Sequence, residues 1–192
     1  MISKIVDKFD ANNISYAFLK DSGNSVNLLI EFGDVSKVSK LMKELGFQKR
    51  KSPTKDIYMY GMNKFVYFQK ADFQVIFQFQ ISCKSSLHGE WIPLDRVINI
   101  GALERRTKID GIYYLDAVDY LCFLLADSVY TEGTFTDKRS SMIIDLYEKV
   151  DKAVFASKIE KVFFKFSKKI VSFIEEQRLD TVISALYRFS DY

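Results

Sequence analysis

The sequence predicts an α+β chain, with a mixed β-sheet and flanking helices over residues 1–115 and a helical region over 116–192. Three observations carry that expectation. The first 46 residues read as helix, strand, strand, helix. Residues 56–81 are dense in Tyr, Phe, Val and Ile, broken by short turn signals. After Asp116 the apolar residues recur at helical spacing.

Each element has a local reason. Ile2, Ile5, Val6 and Phe9 fall on one face of a helix that Asn12 and Asn13 can end. Ile14–Leu19 and Val26–Glu31 read as strands, joined by the turn formers Lys20-Asp21-Ser22-Gly23-Asn24-Ser25. Asp34 is placed to cap a second helix with the stripe Val35, Val38, Leu41, Met42 and Leu45, closed by Gly46. Ile57–Met62, Lys64–Gln69 and Asp72–Ile81 read as successive antiparallel strands. In the last, Gln74, Ile76, Gln78 and Gln80 alternate with Phe73, Val75, Phe77 and Phe79, so one face is polar and the other is core. Residues 84–93 read as loop, and Asp110-Gly111 as a tight hairpin turn. Asp116 should cap a helix to about Tyr130, ended by Thr131-Glu132-Gly133, with further helices over 137–150 and 152–190.

Bulk properties narrow the function classes. The chain has 192 residues, 48% of them hydrophobic, enough for a sizeable core. A net charge of +3 gives no strong nucleic-acid signal. Cys83 and Cys122 are expected as reduced thiols, Cys122 within an apolar helical run. No stretch is long enough for a membrane span or a signal peptide, so a cytoplasmic protein is expected.

Four features resemble the nucleotidyltransferase superfamily, the fold of DNA polymerase β, and within it a compact, largely uncharacterised bacterial branch. They are the segment YAFLKDSGNSVNLLIE from Tyr16 to Glu31 and the helix ending Glu44-Leu45-Gly46-Phe47. The others are the strand FQVIFQFQ and the block from Ile92-Pro93-Leu94 through Asp110-Gly111-Ile112 to Asp116. They cover about residues 1 to 150. The resemblance implies a D-x-D pair in the second strand, a third carboxylate on a neighbouring strand, and a Gly/Ser turn facing phosphate. Nucleotidyl transfer uses such carboxylates to hold divalent metal against a triphosphate.

The chain departs from that pattern at each carboxylate. Ser25 and Asn27 stand at the paired positions, and Gln74 or Ile76 at the third. A ligand pocket is therefore expected from Ser22, Gly23, Asn24, Ser25, Asn27 and Gln74, taking a nucleotide or other phosphorylated small molecule with no metal cofactor. Three readings follow. The first is a catalytically impaired homologue that binds a ligand or acts in regulation. The second is an active transferase moving a nucleoside monophosphate to a small-molecule or protein hydroxyl, with Asp21 and Asp72 holding magnesium. The third is a structural module for a protein partner.

Other signals have simpler readings. His88 is expected as a surface-loop residue and Trp91 as a loop anchor. Lys158, Lys161, Lys165, Lys168 and Lys169 form a basic stripe read as a solvated helix face, with Phe164 off the apolar stripe as a possible contact.

Overall fold

The computed structural model describes residues 1–21, 23–51, 65–86 and 91–190, without the side chains of Asp21, Phe189 and Ser190. The expected strand at 57–62, Ser22 and His88 lie outside the described residues. The chain forms two compact units, Met1–Ile81 with Gly101–Asp116, and Ser82–Ile100 with Ala117–Tyr192. Ser82–Ile100 thus groups with the C-terminal helices. As expected, the protein is mixed α and β, with a mixed sheet and a C-terminal helical region.

The first unit holds helices α1 (Ile2–Ala11) and α2 (Val35–Glu44) and a seven-stranded sheet. Its strands are β1 (Tyr16–Asp21), β2 (Ser25–Ile30), β3 (Gln48–Arg50), β4 (Phe65–Lys70), β5 (Phe73–Gln78), β8 (Thr107–Ile109) and β9 (Ile112–Tyr114), in the order β3-β4-β5-β2-β1-β9-β8. The β2–β5 and β1–β9 pairs are parallel and the others antiparallel. Period-two alternation sends Val26, Leu28, Ile30, Val75 and Phe77 to one face. There they meet Ile5, Val6 and Phe9 of α1 and Val38, Leu41 and Met42 of α2 in one core cluster.

The expected stop signals act as their chemistry suggests. Asn13 follows α1 at φ 52°, and Gly46 follows α2 at φ 81°. Asp110 and Gly111, at φ 49° and 83°, make the two-residue turn between β8 and β9. Asp34 differs from expectation. Its side chain makes no cap hydrogen bond, because a 3-10 turn over Phe32–Asp34 runs directly into α2. Asp34 instead pairs with Lys37 at 3.1 Å. The β4–β5 turn uses Ala71 (φ 49°) and Asp72, so Asp72 precedes the strand in which it was expected.

In the second unit, residues expected as loop form a small antiparallel hairpin of β6 (Ser82–Lys84) and β7 (Trp91–Pro93). Trp91 is half-buried within it. Asp95 caps the short α3 (Arg96–Asn99) by accepting from the Val97 amide at 2.8 Å. The first unit's short α4 (Ala102–Arg105) follows. Helix α5 (Ala117–Ala126) is buried on nearly all sides, then widens into a π-helical turn over Asp127–Glu132, where a plain helix was expected. Gly133 ends it at φ 64°. Helices α6 (Asp137–Tyr147), α7 (Lys152–Phe163), α8 (Ser167–Glu175) and α9 (Val182–Ser190) complete the unit. Both cysteines are free and buried.

Lys158 leaves the expected solvated stripe and pairs with the fully buried Asp119 at 2.5 Å. Phe164 is 72% exposed, at φ 48° and ψ −130°.

Candidate functional site

The face of the sheet opposite α1 and α2 carries the residues in question, and strand register fixes which of them meet. Ser25 is paired with Gln74, Asn27 with Ile76, and Leu29 with Gln78 across the parallel β2–β5 ladder. Paired residues share a face. Gln74 and Ile76, the two residues expected as candidates for a third carboxylate position, therefore stand directly beside Ser25 and Asn27. On the far side of β5, Gln69, Tyr67 and Phe65 of β4 pair with Gln74, Ile76 and Gln78.

Burial along this face is graded. Ser25, Asn27, Gln74 and Ile76 are half-buried. Leu29, Phe65 and Gln78 are buried, Gln78 to 1% exposure. Both polar atoms of the Gln78 amide lack a hydrogen-bond partner among the described residues. Such a group costs about 1–3 kcal/mol relative to a satisfied one. Buried amides are normally paired, so Gln78 stands out on this face.

One contributor is not legible in the sequence. The β1–β2 register shifts between Phe18 and Lys20, so that Lys20 comes opposite Asn27. A bulge adds one residue to one strand and reverses the alternation after it. Strict alternation would have put Lys20 on the core face with Tyr16 and Phe18. The bulge turns it toward Asn27, half-buried. A second cation, Arg50 of β3, pairs in register with Tyr67. Its Nε donates to Gln69 Oε1 at 2.8 Å, and Gln69 Nε2 donates to the Ala71 carbonyl at 2.9 Å.

The remaining expected site residues fall in several places. Gly23 adopts φ 80°, which glycine reaches without strain. The Asn24 carbonyl accepts from the Gln74 amide at 2.8 Å, tying the turn to the start of β5. Asp72 is exposed in the β4–β5 turn. The backbone of Asp21 pairs with Val26, a core-facing residue.

These donors suit some chemistries better than others. Hydroxyl and amide oxygens at Ser25, Asn27 and Gln74 carry no charge, whereas magnesium binds through carboxylates and waters. That set does not fit a catalytic magnesium site. Among the described residues no three His, Cys, Asp or Glu side chains gather as a metal site. The face from β3 to β1 instead joins two cations to neutral hydrogen-bonding groups.

The element order and mixed sheet define a nucleotidyltransferase-like fold. Among solved structures, the chain is similar to the antibiotic-resistance factor ANT(2'')-Ia, an aminoglycoside nucleotidyltransferase. The TM-score is 0.52 at 11% identity, over 91% of this chain and 94% of that one. No protein-family model and no curated protein matches the chain.

Proposed function

We propose that this protein is a nucleotidyltransferase-like ligand-binding homologue that holds a nucleotide or other phosphorylated small molecule without metal-dependent transfer. The observation that carries the reading is the register of β2 with β5. It sets Ser25 beside Gln74 and Asn27 beside Ile76, neutral side chains at the positions that the resemblance assigns to carboxylates. Lys20, brought opposite Asn27 by the bulge, supplies positive charge that a transferase would draw from metal. Ser25, Asn27 and Gln74 can hydrogen-bond phosphoryl or hydroxyl groups, and the turn at Gly23-Asn24 lies at the same end of the strands. A regulatory role follows from binding without turnover.

The test is thermal stabilisation by nucleoside triphosphates in EDTA and in magnesium, for the parent chain and Lys20→Gln. A ligand specific to the native state raises its stability by mass action. The proposal expects a shift in EDTA that Lys20→Gln diminishes. Stabilisation confined to magnesium, with turnover of the triphosphate lost in Asp21→Asn, would instead establish the active transferase. Failure of all nucleotides and phosphorylated small molecules to stabilise the chain would leave a module for protein partners.

A further inference from the structure

A second cleft in the first unit shares no residue with the face just described. It has a volume of about 370 Å³ and is lined by Asp10, Asn13, Ile14, Ser15, Arg106, Lys108 and Tyr113. That volume lies within the range of small-molecule sites, roughly 300–1,000 Å³. Its walls come from the end of α1, the link into β1, and the β8–β9 hairpin.

The cleft lining combines cationic residues with residues that carry hydrogen-bonding groups. Lys108 and Tyr113 are cross-strand partners, and Arg106 precedes Lys108 by two residues toward the same face. The Arg106 guanidinium lies 4.4 Å from the Tyr113 ring centroid, and Lys108 Nζ lies 4.9 Å from it. Arg106 Nη1 donates to the Leu103 carbonyl. The ring and the carbonyl together hold the guanidinium plane, while its Nε is buried with no partner among the described residues. A guanidinium held in this way is preorganised for an oxyanion, since the planar fork matches phosphate and carboxylate oxygens. The lining also includes Asp10, Asn13 and Ser15. Asp10 also pairs with Lys108 at 3.3 Å.

We propose that this cleft binds a phosphorylated small polyol, its phosphoryl group on Arg106 and Lys108 and its hydroxyls on Asp10, Asn13 and Ser15. Asp10 would repel a bare phosphate, yet a carboxylate accepts strongly from sugar hydroxyls. The two halves of the ligand therefore respond to Asp10 with opposite sign.

The experiment titrates ¹⁵N-labelled protein with ribose 5-phosphate, inorganic phosphate and ribose at constant ionic strength, following amide shifts and affinity. Ribose 5-phosphate should bind at least tenfold more tightly than either fragment, with shifts centred on Asn13, Ser15, Arg106, Lys108 and Tyr113. Arg106→Gln should weaken it at least tenfold, and Arg106→Lys by less, since charge remains while the fork is lost. Asp10→Asn should weaken ribose 5-phosphate while strengthening inorganic phosphate. Thermal melts of each variant, with the conservative Arg106→Lys as a second probe, separate lost binding from lost folding. Shifts centred on Ser25, Asn27 and Gln74 would place the ligand on the other face and overturn the assignment. So would equal affinity for inorganic phosphate, binding that survives Arg106→Gln in a folded protein, or no binding at all.

Discussion

Replacing Gln78 with methionine should make the protein more stable. The side chain is 1% exposed, and neither its Nε2 nor its Oε1 has a partner among the described residues. It sits between Leu29 of β2 and Phe65 of β4, both buried, whose side chains offer it apolar contact and no hydrogen bond. An unpaired buried polar group costs about 1–3 kcal/mol. Methionine has nearly the same length and volume and adapts to irregular gaps. Allowing for imperfect repacking, the substitution should stabilise by about 2 kcal/mol. For a chain of this size that corresponds to a rise in Tm of roughly 4–8 °C. Thermal melts and urea unfolding read it directly, with the urea slope unchanged if only stability has moved. A Tm unchanged or lowered in Gln78→Met would refute the reasoning, because it would mean the amide is satisfied in solution. A gain in stability would also indicate that the glutamine is kept at a cost, as binding sites often keep polar groups that weaken the fold.

Three further outcomes follow from the second unit and the sheet. Lys158→Met takes the ammonium away from the fully buried Asp119 carboxylate and should destabilise the protein in the same unfolding assay, by up to about 3–5 kcal/mol. Burial pushes the Tyr16 phenol up to about 12, and burial with the hydrogen bond to Glu175 does the same for Tyr147. The native state thus holds these protons more tightly than the unfolded chain, whose phenols ionise near 10. Their contribution is intact below pH 10 and lost as pH climbs from 10 to 12, which alkaline melts and phenolate absorbance should both record. Phe164→Gly relieves a positive-φ residue that is 72% exposed. Strain of about 1–3 kcal/mol less glycine's entropy cost of about 0.5–1 leaves a gain near 1 kcal/mol in denaturant unfolding, which Phe164→Ala should not reproduce.

Much of the fold is legible because the signals are local. The stripe Ile5, Val6, Phe9 and the turn Asp110-Gly111 act through spacing and backbone preference alone, and each appears where the sequence puts it. The alternation of Val75 and Phe77 with Gln74 and Ile76 likewise determines which face of β5 is core. What sequence misses depends on pairing between distant segments. Nothing in Phe18-Leu19-Lys20 announces a bulge, yet the bulge brings a cation opposite Asn27. Trp91-Ile92-Pro93 reads as loop because three residues are too few to show a period, and only pairing with Ser82–Lys84 makes them a strand. Lys158 reads as solvated because the helix stripe gives no hint of Asp119, 39 residues earlier. Asp72 misleads for the opposite reason: alternation extended one residue too far, into a turn that Ala71 closes at positive φ.

The proposed function requires the face built by Ser25, Asn27, Gln74 and Lys20 to bind a phosphorylated ligand through its own neutral and cationic groups rather than through metal. Calorimetric titration of a nucleoside triphosphate in EDTA and then in magnesium tests it most directly. Binding is expected in EDTA, weakened at least tenfold by Lys20→Gln and not dependent on magnesium. Heat of binding seen only with magnesium, and unaffected by Lys20→Gln, would contradict it.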